Sequence, residues 1–456
     1  MLESPELDER DLAVMLDLAK ERSKALGARH RRRRRRIAAG TVALTVTLAL
    51  TAVIVQPIGR PAQRQASRGT HPSPAPSWRL VGDITQGSWQ EQTALNGSQP
   101  QYGLVCPTAT TCFMLEVGPL TTQAFTTSIE VTQDGGSTWQ LLSLPAGMAT
   151  STGLDCVDAT TCVAGAFDAA GNAFLVTTDD GGQTWTSLPG PSQLSSSFQF
   201  RSVSCTTATS CVAIGGASPT AGGSSEVYYS LGTTDGGQSW SDSAFPEGFV
   251  PTAIQCSASG ACMASGFEQP STPPPAPPAP QGVAGEALYS TDGGATWAAA
   301  SVPSEAGPIV SVSCGTGGAC TAVTFGSKIN DGTASQVLTT VDGGQTWTAT
   351  GGNGLPASLL QGLSCPTTSY CWAAGIQLPT ESGGSPATPM DLSGLQGVIA
   401  STTDGGQTWQ QAQLPADLTQ SVVTSVSCPT LTTCLALDWQ GASSQPGRFV
   451  LLSYSG

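Results

Sequence analysis

The sequence predicts an all-β chain: a seven-bladed β-propeller with four-stranded blades, preceded by a single N-terminal transmembrane helix. Three observations carry this expectation. The eight-residue pattern Ser/Thr-x-Asp-Gly-Gly-x-Ser/Thr-Trp occurs six times, beginning at Thr132, Thr178, Thr233, Ser290, Thr340 and Thr402. A Cys-x5-Cys pair lies upstream of every copy and a seventh follows the last, which uses all 14 cysteines. The pairs recur about every 50–60 residues, the period of a blade rather than of a solenoid turn. Near the N-terminus, residues 37–55 carry no charge and directly follow an arginine block.

Each copy of the pattern has the chemistry of a hairpin turn. The carboxylates of Asp134, Asp180, Asp235, Asp292, Asp342 and Asp404 can accept hydrogen bonds from the N–H groups that follow them. The glycine pair supplies positive φ, and Trp139, Trp185, Trp240, Trp297, Trp347 and Trp409 each start the next strand and bury a ring. The pattern resembles the Asp-box, or BNR, repeat. That resemblance implies a structural turn on the outer rim, joining the third and fourth strands of a blade.

The cysteine pairs are Cys106–Cys112, Cys156–Cys162, Cys205–Cys211, Cys256–Cys262, Cys314–Cys320, Cys365–Cys371 and Cys428–Cys434. Cysteines six apart around a short turn can face each other across a hairpin. Their regular, even set favours disulfides and an oxidising compartment. Reduced buried thiols are the alternative. Zinc is disfavoured, because the spacing is not that of a finger and no histidine is near.

Charge divides the chain. Of 18 Lys and Arg, 11 precede Ile37, whereas after residue 80 only Arg201, Lys328 and Arg448 remain, against 25 acidic residues. An acidic body excludes nucleic acid as the expected partner. Residues 1–36 form a tail: a helix over 4–27, opened by Ser4-Pro5, and then the basic block Arg29–Arg36. The helix is either a solvated tail or a docking element for a cytosolic partner. The basic block reads as a topology signal, since it abuts the 19-residue apolar run 37–55, long enough to cross a bilayer. The positive-inside rule then puts the N-terminus in the cytosol and the body outside, at the plasma membrane. An uncleaved anchor is favoured over a cleaved signal. Residues 56–79, rich in Pro, Arg and Ser, read as a tether, and 80–456 as the propeller.

Within a blade, Ser202–Cys205 exemplifies the first strand, Cys211–Ile214 the second, Glu226–Thr233 the third, and the chain from Trp240 the fourth. The residue two before the first cysteine is always aliphatic, and the residue two after the second is Ala in six blades and Met114 in the first. A small residue there lets neighbouring blades approach. The seventh blade stops at Gly456 where a box would open. Gln86–Gln90 resembles the end of a box and its fourth strand, so an N-terminal strand is expected to complete this blade and remove both sheet edges.

Cysteine turns and boxes should share one face of the ring. The other face then carries the irregular loops 216–225, 267–285, 326–335 and 376–397, including the proline-rich 270–280. These loops are either a binding surface or tolerated insertions. Phe167, Phe267, Phe325 and Trp439, five residues after the second cysteine of their blades, are a candidate ligand platform or inter-blade packing. No catalytic, cofactor-binding or metal-ligating residue is assigned. His30 and His71 lie outside the propeller, which excludes a Ser-His-Asp triad or a His-ligated metal there.

The repeats also resemble those of sialidases, which need an arginine triad where this body has Arg201 and Arg448, and of Asp-box xyloglucanases, which place paired acids between two propellers. Here a carboxylate pair for glycoside hydrolysis would come from Glu226, Glu268, Glu286, Asp331, Glu381 or Asp391. The hairpin followed by Ala-Gly and then the box (Ala373-Ala374-Gly375 and Thr403–Gly406) is similar to the photosystem II assembly and stability factor type. This resemblance implies a non-enzymatic protein-binding scaffold. The expected role is therefore an extracytoplasmic propeller that binds a protein or cell-wall glycan, with a glycoside hydrolase as the alternative.

Overall fold

The computed structural model describes residues 76–456, apart from 84–100, 118–126, 189–197, 218–225, 270–282, 327–333, 379–395, 442–447 and a few single or paired positions. The expected tail, the 37–55 span and the strand-like 86–90 segment lie outside the described residues.

Seven four-stranded antiparallel sheets form the body. Blade 3 is representative, with strands Phe198–Cys205, Cys211–Ala217, Val227–Thr233 and Ser241–Ala244 in that spatial order. First strands of successive blades touch one another around the ring, including the first strand of blade 7, Ser421–Ser427, against that of blade 1, Gln101–Val105. The first strands are therefore innermost and the ring is closed.

The alternation read from sequence is what packs the blades together. Leu104, Leu154, Val203, Ile254, Val312, Leu363 and Val426 are all buried, and Ala164, Ala213, Ala264, Ala322, Ala373 and Ala436 have no exposed surface. Core clusters run across blade boundaries: Ile129 and Leu142 of blade 1 pack with Leu154 and Ala164 of blade 2. A larger residue in place of any of these alanines would overpack the junction.

All seven cysteine pairs are disulfides, with Cα–Cα of 4.0 to 4.1 Å, and no cysteine is free among the described residues. Each bridge ties the first strand to the second at their turn.

The boxes form as expected. In the last copy, Thr408 N–H donates to Asp404 Oδ1 at 2.9 Å and Thr402 Oγ1 donates to the same oxygen at 2.8 Å, while Gly406 N–H donates to Thr402 Oγ1 at 3.0 Å. Gly405 and Gly406 have φ of 72° and 90°, which L side chains rarely adopt. Gly405 N–H reaches the cysteine turn at Ser369 O (2.9 Å), so boxes and cysteine turns do share a face. The second glycine also presses on the preceding blade: a Cβ on Gly182 would lie 2.3 Å from Leu142 Cδ1.

Blade 7 has its fourth strand from the N-terminal side of the body, while the 86–90 segment expected there lies outside the described residues. Arg79–Asp83 pairs antiparallel with Arg448–Ser455, giving blade 7 its fourth strand at the end of the stretch expected to be tether. Trp78 supplies the box tryptophan. Its N–H donates to Gln413 O (2.9 Å), as Trp409 N–H does to Asn353 O (2.7 Å) one blade earlier. Its ring is buried, edge-on to Trp372 at 5.3 Å and beside Tyr454 at 5.9 Å. Gly456 N–H donates to Thr432 O (2.9 Å), the contact that the first box glycine makes in the other blades. A large aromatic at position 78 fills the space between blades 6 and 7.

Candidate functional site

The two faces differ chemically. On the face of boxes and cysteine turns, polar side chains are consumed by the turns themselves. The carboxyls of Asp134, Asp180, Asp235, Asp292 and Asp342 are held down at about 2, first by the hydroxyl at the end of each box and then by backbone N–H groups, and Asp404 is lowered for the same reason. They remain ionised acceptors and have no proton to give. The box tryptophans are structural too: Trp347 and Trp409 are buried, and Trp297 Nε1 donates to Ser230 Oγ of the preceding blade at 2.8 Å.

On the opposite, loop-bearing face three polar groupings bear on function. The first is in blade 3. Tyr228 O–H donates to Glu226 Oε2 at 2.6 Å, Arg201 Nη2 donates to the Tyr228 hydroxyl at 3.2 Å, and the guanidinium sits 5.1 Å from the ring centroid. Gly216 makes room for this, since a Cβ there would lie 2.6 Å from Tyr228 Cε1. Burial, with the Glu226 hydrogen bond second, pushes the tyrosine up to about 12, which disfavours a phenolate nucleophile. Arg201 and Arg448 stand in blades 3 and 7, on sheets that are not neighbours, so they form no common clamp.

The second grouping is in blade 4. Burial raises the Glu286 carboxyl and the charge of Glu268 raises it further. Of the six acids considered from sequence, this is the pair that the fold brings into electrostatic contact. Glu226 is engaged by Tyr228, and Asp331, Glu381 and Asp391 lie outside the described residues.

The third is a cleft of about 230 Å³ between blades 6 and 7, whose lining includes Gln377, Gln396, Gly397, Gln411, Leu414 and Ser421. Behind it, Ser421 Oγ donates to Asp438 Oδ1 at 2.5 Å, Gln440 Nε2 donates to Asp438 Oδ2 at 3.4 Å, and Arg448 Nη2 donates to Gln440 Oε1 at 3.0 Å. Asp438 is fully buried, and burial pushes its carboxyl up to about 6 against these hydrogen bonds.

The four aromatics stand in blades 2, 4, 5 and 7, and Phe267, Phe325 and Trp439 are half-buried. Phe167 is buried against Phe200 at 6.1 Å and belongs to the core. Phe267 packs on the core shared by blades 3 and 4, Phe325 packs against Leu359 and Ile376, and Trp439 is half-buried opposite Val422. In blade 3 the equivalent position is Gly216, and Tyr228 from the third strand lies over it. The position therefore mainly fills space between blades.

Sequence reasoning missed Trp78, the Tyr228–Gly216 exchange and Asp438. One signal for Asp438 was present. Four residues after the second cysteine five blades carry Gly, Ala or Thr (Gly215, Gly266, Gly375, Ala166, Thr324), whereas blades 1 and 7 carry the acids Glu116 and Asp438. No group of three or more His, Cys, Asp or Glu side chains suited to a metal occurs among the described residues.

The BNR/Asp-box repeat model matches residues 288–299, so the chain carries this repeat. No curated protein matches the sequence. Among solved structures, YCF48 bound to D1 peptide is similar at 18% identity and TM-score 0.46, over 80% of this chain and 99% of that one. The propeller domain of the Trilobed protease from Pyrococcus furiosus is similar at 7% identity and TM-score 0.48, over 78% and 96%. Trypanosoma rangeli sialidase in complex with DANA is similar at 12% identity and TM-score 0.39, over 84% and 55%.

Proposed function

We propose that this protein is a membrane-anchored, extracytoplasmic propeller whose loop-bearing face binds a protein or cell-wall glycan without chemical turnover. One observation carries the reading. The loop-bearing face carries an open cleft between blades 6 and 7, lined by the amides of Gln377, Gln396 and Gln411 and the aliphatic Leu414 and Leu418, which suits binding more than chemistry. Seven disulfides support an oxidising compartment. The arginine block followed by the uncharged run 37–55 supports an anchor with the N-terminus inside. The test combines a glycan array, affinity capture from the native membrane and a glycoside-hydrolysis screen on the intact protein. Specific capture without turnover is expected, and turnover of any glycan overturns the reading.

A glycoside hydrolase is the second reading, favoured by Glu268 and Glu286 in blade 4. A raised carboxyl beside a second carboxylate suits a general acid. In that case Glu286→Gln abolishes turnover while leaving the fold intact.

A further inference from the structure

We propose that the cleft between blades 6 and 7 is a docking site for the backbone of an extended, uncharged peptide segment bearing an aliphatic side chain and flanked by basic residues. This rests on the binding-scaffold reading above and names its site and ligand chemistry.

Four features of the cleft point this way. None of the described residues lining it is ionisable, so an ion entering it loses water without gaining a partner from them. Three glutamines surround it. Gln411 Nε2 donates to Gln377 Oε1 at 3.5 Å, and Gln396 and Gln411 are exposed. Primary amides offer both donors and acceptors, which matches the alternating N–H and C=O of a peptide backbone. The remaining wall is aliphatic: Leu414 and Leu418 rest on the core that contains Trp78 and Trp372, so it is held rigidly. Among the described residues no aromatic ring lines the cleft to take the flat face of a sugar.

The floor is organised from behind. Ser421 spends its hydroxyl proton on the buried Asp438, which leaves Oγ as an oriented acceptor. Gly397 permits the approach, since a Cβ there would lie 2.4 Å from Ser421 Oγ. Gln420, immediately before Ser421, has φ of 54° and is the one non-glycine among the described residues with positive φ. Such backbone persists only where its surroundings hold it. Asp438 and Gln420 are positioning residues for Ser421.

The basic flanks follow from charge. Beyond residue 80 the chain carries 25 acidic and three basic residues, a field that repels acidic segments and steers basic ones towards the surface.

The test uses the full-length protein in detergent and three capped pentapeptides with lysine at both ends and Leu, Asp or Lys at the centre, followed by saturation-transfer NMR and titration. The leucine peptide is expected to bind, more weakly as salt rises, and the aspartate peptide not to bind. Gln396→Ala combined with Gln411→Ala, both exposed positions, should weaken binding at least tenfold with an unchanged melting temperature. Equal binding by that double variant, no binding of the leucine peptide, or preference for the aspartate or central-lysine peptide overturns the proposal. A neutral N-acetylglucosamine oligomer is titrated in parallel. Its binding at this cleft in place of the peptide overturns the peptide assignment but keeps the scaffold reading, whereas specific capture of a partner that survives the double variant rejects the cleft alone.

Discussion

The backbone N–H of Cys106 donates to Ser427 Oγ at 2.9 Å across 321 residues of sequence, tying blade 1 to blade 7. The same staple recurs at other junctions. Ser204 accepts from Cys256, Ser313 from Cys365 and Ser364 from Cys428, each at 2.9 Å, and Asp155 accepts from Cys205 at 2.6 Å. The residue before the first cysteine of one blade thus caps the first cysteine of the next.

Ser427→Ala removes the staple at the closing junction and leaves the Cys106 N–H without its partner. A loss of about 1–2 kcal/mol is expected, measurable by urea unfolding. Ser427→Thr keeps the hydroxyl and should recover most of it, and an alanine variant as stable as the parent would show that the bond contributes nothing.

Trp78→Ala empties the space between Trp372 and Tyr454 and should cost about 3–5 kcal/mol. Thermal unfolding reads this directly. A variant that melts with the parent would mean that Arg79–Asp83 does not close the ring in solution.

Stability should peak in mild acid. The box aspartates have folded pKa values depressed to about 2, below the ordinary value of about 4. Their contribution is present above about pH 4 and is lost as pH falls through 2. Asp155 and Asp438 behave oppositely. Burial pushes both up to about 6, so their contribution is complete below about pH 4 and is lost as pH rises through 6. Asp155 is held between the N–H groups of Cys156 and Cys205, and Asp438 between Ser421 and Gln440. Melting temperature should therefore decline between pH 4 and 7. Asp438→Asn should flatten that limb by on the order of 2–3 kcal/mol, and an unchanged slope in both Asp438→Asn and Asp155→Ser would refute the assignment.

Each disulfide closes a short loop, so losing one should cost about 2 kcal/mol. The paired change Cys365→Ala and Cys371→Ala should lower the unfolding midpoint without dissolving the ring, because the first and second strands of that blade remain paired from Ser358 to Ser364. Global unfolding of this variant at room temperature would give the bridges a larger role than chain entropy allows.

Read as a string, the chain already determined its blade count, its cysteine partners and its box turns. These depend on residues close in sequence: an Asp and its Thr four positions on, two cysteines six apart, an alternation of period two. Local chemistry is legible because every participant lies within one hairpin. The closing strand was legible only in kind. Gln86–Gln90 and Trp78 onward both look like the end of a box, and only the tertiary structure shows Trp78 packed on Trp372 and Tyr454, far away in sequence. The loop-bearing face depended on folding in the same way. Tyr228 fills the gap left by Gly216 within its own sheet, and Ser421 meets Asp438 from the adjacent strand. Space and hydrogen-bonding capacity are properties of the packed interior, and a repeat pattern records them only where every blade solves the problem alike.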